Sequence, residues 1–129
     1  MKYKKIQPFG RQVEDNIKQS LQIAGIYIES TPELDHNHKI DFIVRIENQH
    51  VGVQFSLKKD DIKAKVAKIC ALDKVSRFIY LNLSDCFFTK PDRDNGIQLY
   101  SLLKYIINEY SQKAIWLMVD MKGWQVKSI

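Results

Sequence analysis

Two cysteines, Cys70 and Cys86, are all that this 129-residue chain contains, and their spacing matches no metal-ligand pattern. So few thiols exclude a disulfide framework, and they are expected to be reduced, buried groups of a cytoplasmic protein. No apolar stretch approaches the roughly 20 residues of a membrane helix, and the opening MKYKKIQP lacks the apolar core of a signal peptide. Internal repeats, low-complexity tracts and Gly/Ser linkers are also missing, so residues 1–129 are expected to form a single domain. The chain has no G-x-x-x-x-G-K, no G-x-G-x-x-G and no G-x-S-x-G. That removes the usual sequence marks of P-loop, dinucleotide-binding and serine-hydrolase chemistry. The composition, 45% hydrophobic and 27% charged, is that of an ordinary folded domain. Its net charge of +5 suits a polyanionic partner, and it equally serves solubility.

The periodicities present define an α/β order. Val13, Ile17, Leu21 and Ala24 form one stripe of a helix over Arg11–Ala24, which Gly25 ends. The β-branched run Ile26–Ile28 reads as a short strand, and Thr31–Lys39 as a loop. Two strands follow, Ile40–Ile46 and Val51–Leu57, around a turn at Glu47–His50. In the second, Val51, Val53, Phe55 and Leu57 share one face, while Gly52, Gln54, Ser56 and Lys58 share the other. A helix is expected over Asp60–Leu72 and a buried strand over Arg77–Leu83, with a loop from Cys86 to Asn95. The strongest helix spans Gly96–Tyr110, with Asn95 and Gln98 as a capping pair. Ala114–Met121 and Trp124–Lys127 complete an order α-β-β-β-α-β-α-β-β, which suits a mixed sheet flanked by helices.

Asp41 is the residue in this pattern that asks for an explanation, because an acid among strand hydrophobics is costly unless its charge is offset. A divalent ion bound by hard oxygens would offset it, and such an ion can drive phosphodiester hydrolysis. Asp41, the amide oxygen of Gln54, the carbonyl of Phe55 and the carboxylate of Glu14 are the candidate donors. Each has a plainer reading. Asp41 can close a turn, Gln54 can bond a neighbouring group, and Glu14 can pair with Lys18 one helical turn on. His36 and His38, in DHNHK, lack the further ligands of a zinc site and read as polar loop residues.

Together these residues resemble the restriction-endonuclease-like, or PD-(D/E)xK, nuclease superfamily. The resemblance covers about Phe9 to Leu83 and implies a helix, a three-strand meander, a helix and a further strand, here with an added helix and C-terminal strands. It implies a first-helix acid at Glu14 in GRQVEDNIKQSL, a strand-opening acid at Asp41 in KIDFIV, and Gln54 in VGVQFS at a position where some branches carry glutamine. The implied cofactor is Mg²⁺ or Mn²⁺, and the implied activity is endonucleolytic cleavage of nucleic acid, DNA rather than RNA. Ser56 departs from the pattern, standing where the family has lysine. Lys58, two residues on and on the same strand face, is the candidate replacement. With serine there, the alternative is an inactive member of the fold that binds nucleic acid or protein.

Lys58, Lys59, Lys63, Lys65 and Lys68 follow the candidate strand and are the expected phosphate contacts. They also fit a strand-end gatekeeper pair and a solvated helix face. A domain this small covers little of a duplex, so cutting both strands would take a homodimer.

Overall fold

A computed structural model describes residues 9–31, 40–56, 75–83, 88–120 and 122–127. The expected helix over Asp60–Leu72, the five lysines from Lys58 to Lys68, both cysteines and the His36/His38 pair lie outside the described residues.

Helix α1, Phe9–Ile23, buries Val13, Ile17 and Leu21, three of the four stripe residues. Its end is set by backbone geometry at Gly25, whose φ of +82° only glycine adopts without strain. Gly25 N–H bonds the Gln22 carbonyl and Ile26 N–H bonds the Leu21 carbonyl, the paired closure of a Schellman motif. Because this closure occupies the Ile26 N–H, strand β1 begins later than expected, at Ile28–Glu29 instead of Ile26–Ile28.

Strands β2, Phe42–Ile46, and β3, Gln49–Ser56, form a hairpin. Its turn is tighter than the four residues expected: Glu47 and Asn48 alone make it, at φ +47° and +69°. Positive φ at both central residues gives the twist that a two-residue hairpin requires. The remaining elements are β4, Arg77–Leu83, helix α2, Arg93–Glu109, β5, Ala114–Asp120, and β6, Gly123–Lys127. All six strands join one sheet in sequence order. The β1–β2 and β2–β3 pairs are antiparallel, β3–β4 and β4–β5 parallel, and β5–β6 antiparallel. The chain is therefore a mixed α/β protein with a six-strand mixed sheet, and among the described residues no helix is long and apolar enough to cross a membrane.

Both described helices pack on the same face of the sheet. Val13, Ile17 and Leu21 of α1 and Leu99, Leu103 and Ile106 of α2 share a core with Val51, Val53, Ile79, Leu81 and Leu117. The opposite face carries a second, smaller cluster of Ile40, Ile43, Val75, Phe78 and Tyr80, with Trp116 against it.

Helix α2 starts three residues earlier than expected because Asp92, not Asn95, caps it. The Asp92 side chain accepts the Asn95 N–H at 2.9 Å. Asp92 is itself held by α1: its N–H donates to Ser20 Oγ at 2.8 Å, and Ser20 Oγ donates to the Asn16 carbonyl at 2.7 Å. Asn16 Nδ2 in turn donates to the Phe88 carbonyl at 2.9 Å. Two buried polar side chains of α1 thus fix the approach to α2. At the crossing itself stands Gly96, where a Cβ would lie 2.2 Å from the Ser20 carbonyl oxygen.

The other end of α2 is closed by Arg77. Its guanidinium donates to the carbonyls of Gln112 at 2.8 Å, Ile107 at 3.2 Å and Tyr110. A cation on the carbonyl end of a helix is favoured by the helix dipole. Burial lowers its pKa from the ordinary arginine value, yet arginine stays charged at any working pH. Its bonds to the end of α2 make it a structural group.

Replacing Gly96 with alanine should destabilise the protein by about 1–3 kcal/mol, although alanine alone favours a helix by about 1 kcal/mol over glycine. Urea denaturation of Gly96→Ala with an unchanged m-value checks this. A midpoint at or above wild type would mean that the two helices do not cross this closely.

Candidate functional site

At Asp41 the chain bends into β2, and the ladder to β3 has run out. The Asp41 N–H donates to the Val53 carbonyl at 2.9 Å, but the next inward-pointing N–H of β3, that of Phe55, has no backbone carbonyl opposite it. The Asp41 carboxylate takes that place, with Oδ2 accepting the Phe55 N–H at 2.7 Å. The residue is buried, 6% exposed. A charge-assisted bond of this length offsets part of its desolvation. A strand residue turns its N–H and C=O toward the same neighbour, so the Phe55 carbonyl also faces the gap that β2 leaves.

Gln54 stands one step beyond the last registered β2–β3 pair, Phe42 with Val53, and lies beside Tyr80 on β4. Strand alternation sends its side chain to the sheet face opposite α1 and α2. There its Oε1 is buried and has no hydrogen-bond partner among the described residues. An acceptor left this way costs about 1–3 kcal/mol. Ser56 follows on the same face. Its carbonyl accepts Asn82 Nδ2 at 3.2 Å, and Asn82 Oδ1 accepts Trp116 Nε1 at 2.6 Å. The Trp116 ring meets Tyr80 edge-on, with centroids 6.5 Å apart. Gln54, Ser56, Tyr80, Asn82 and Trp116 thus form a polar row across three parallel strands, with Gln54, Ser56 and Asn82 toward the carboxyl ends, the edge at which open α/β sheets place their sites.

Glu14 is on the other side. It projects from α1 and pairs with Lys18 at 3.0 Å, the helical ion pair that the i, i+4 spacing allows. Lys18 Nζ also donates to Ser30 Oγ at 3.0 Å, and Ser30 Oγ donates to the Asp41 carbonyl at 2.9 Å. A relay of three contacts therefore ties Glu14 to the Asp41 main chain, at the same end of the sheet but on the α1 face. The structure brings the Asp41 carboxylate to the Phe55 N–H, next in sequence to Gln54, while Glu14 is engaged by Lys18 on α1. Lys58, Lys59, Lys63, Lys65 and Lys68 are outside the described residues. Among those that are described, no cluster of three His, Cys, Asp or Glu side chains is present.

Three participants escaped the sequence reading. Lys18 was visible only as a partner for Glu14, and Ser30 and Asn82 carried no pattern at all. The parity of β4 could have marked Asn82, since it continues the face of Phe78 and Tyr80 as a polar group.

Comparison with protein families, with curated proteins and with solved structures finds no match to this chain.

The two central residues make opposite predictions for stability. Asp41→Ala strands the Phe55 N–H and should cost about 1–3 kcal/mol, whereas Gln54→Met removes an unpartnered acceptor and should stabilise by about 1 kcal/mol or more. Thermal melts of the two variants at neutral pH, without added divalent ions, test both signs.

Proposed function

We propose that this chain is a restriction-endonuclease-like domain that binds nucleic acid, DNA in preference to RNA, and hydrolyses its phosphodiester bonds with Mg²⁺ or Mn²⁺. The observation that carries the reading is the meeting of the Asp41 carboxylate with β3 at Phe55, beside a buried Gln54 amide oxygen lacking a partner among the described residues. The strand order supports it: a helix, two antiparallel pairings and then a parallel one follow the pattern that the resemblance implies.

The donor chemistry fits the ion. Asp41, Gln54 and the Phe55 carbonyl are all hard oxygen donors, the kind Mg²⁺ and Mn²⁺ take, and a single carboxylate among them makes for weak binding without substrate phosphate. Such an ion, when bound, polarises a phosphoryl oxygen and lowers the pKa of bound water. The chain's own residues do the positioning. The Phe55 N–H fixes the orientation of the Asp41 carboxylate, and the Lys18–Ser30 relay fixes the main chain behind it. Glu14, across the sheet edge, would act through water. Lys58 is the cation assigned to the position that Ser56 leaves neutral, and the lysines from Lys59 to Lys68 are assigned to the phosphate backbone.

A second reading is favoured by one specific arrangement: Glu14 is already neutralised by Lys18, and the Asp41 carboxylate already serves β3. On that reading the fold is a catalytically silent module that binds nucleic acid or protein. Asp41→Asn separates the two, because the amide oxygen still accepts the Phe55 N–H while the charge is gone. Plasmid nicking in Mn²⁺ should fall at least 100-fold in Asp41→Asn at near-native stability, an effect of about 2.7 kcal/mol or more on the barrier. Equal nicking by wild type and variant would assign the activity to a contaminant and leave the silent module.

A further inference from the structure

The sheet face opposite the helices carries a second feature, at the hairpin end of β2 and β3. A cleft of about 350 Å³ there is lined by Tyr27, Glu29, Ile43, Arg45 and His50. Arg45 and His50 are a directly opposed cross-strand pair, and Glu29 is registered to Ile43 on the adjoining strand. Among the described residues, the side chains of Arg45 and His50 have no hydrogen-bond or ion-pair partner. Tyr27, at 77% exposed, presents its ring to solvent beside them.

We infer that this cleft binds one unpaired nucleotide of a nucleic-acid strand, with the phosphate on Arg45 and His50 and the base on Tyr27. The chemistry of the lining matches the ligand group by group. Guanidinium binds phosphate by forked hydrogen bonds, and a ring N–H of His50 can donate one more. An exposed aromatic ring offers a stacking surface to any base. Glu29, the one acid in the cleft, can accept from an exocyclic amino group, which cytosine has and thymine lacks. A duplex hides the faces of its bases, so the ligand is an unpaired residue.

Arg45 lies four residues beyond Asp41, which immediately precedes β2, a span of at most roughly 13 Å. The inference rests on reading the chain as a nucleic-acid-binding domain, and it is independent of whether the Asp41 region cuts.

The test is fluorescence anisotropy with short labelled oligo(dC) and oligo(dT), divalent ions chelated, across a salt series. Arg45→Ala and Tyr27→Ala should each weaken oligo(dC) binding on the order of 10-fold, the scale of one lost base stack or charged contact. Arg45→Ala should also reduce the salt slope by about 0.7, one phosphate contact on a single strand. Lys122→Ala, an exposed charge in the β5–β6 turn at the opposite end of the parallel strands, should change affinity less than about twofold. Oligo(dC) should bind tighter than oligo(dT), with the difference lost in Glu29→Ala. Glu29 and Arg45 lie on strands, and circular dichroism of each variant verifies the fold. Wild-type binding that Arg45→Ala and Tyr27→Ala leave unchanged would overturn the assignment, as would no binding at low salt or equal affinity for the two oligonucleotides. If the variants lose binding while wild type nicks nothing in Mn²⁺, the nucleotide cleft stands and the hydrolytic reading falls.

Discussion

A strand that outlasts its neighbour leaves a backbone N–H facing empty space, and the fold around β3 is organised by how that N–H is answered. Asp41 supplies a carboxylate where β2 would have supplied a carbonyl. That one bond lets β2 bend away from β3 without leaving a buried donor unpaired. It also fixes an acid at a place where water is largely excluded, with the Phe55 carbonyl turned to the same gap. Structural and chemical roles are therefore not alternatives at this residue. The same constraint that completes the sheet also presents the carboxylate, and only a substitution that keeps the acceptor while removing the charge can separate them.

Behind this edge the molecule is held by polar contacts as much as by its core. Asn16 and Ser20 of α1 each engage the segment leading into α2, and Arg77 engages the segment leaving it. Both described helices lie on one face, and the other face carries the polar groups along β2, β3 and β4. Its groups are graded: the basic and aromatic cleft at the hairpin, then Ile43 and Gly52 beneath Ile40 and Val75, then Asp41 and Gln54, and finally the Ser56–Asn82–Trp116 row.

The fold was legible in the sequence wherever burial imposed a period. The stripe of Val13, Ile17 and Leu21, the alternation through Val51, Val53 and Phe55, and the apolar run of β4 each point to one element, and each element is present. What was misread belongs to backbone closure. Neither Glu47 nor Asn48 signals positive φ as glycine would, so the turn looked longer than it is. Asp92 was hidden as a cap because a second plausible capping pair, Asn95 and Gln98, stood three residues on. At the site, the face that Gln54 takes was readable because strands alternate. The side of the sheet on which Glu14 would fall was not readable, since that depends on where α1 docks. The Lys18–Ser30–Asp41 relay joins a helix, a strand end and a bend, and no local pattern encodes such a path.

Arg77 has a consequence for how the molecule opens. Its guanidinium sits at the first residue of a central strand yet is bonded to carbonyls at and beyond the last turn of α2. Fraying of that turn would break these charge-assisted bonds as well as the helix bonds. The carboxyl end of α2, which in most helices is the first part to loosen, is thereby tied to the stability of β4. Helix and strand should open as one cooperative unit, and slow amide exchange should extend through residues that their position in the sequence would mark as labile.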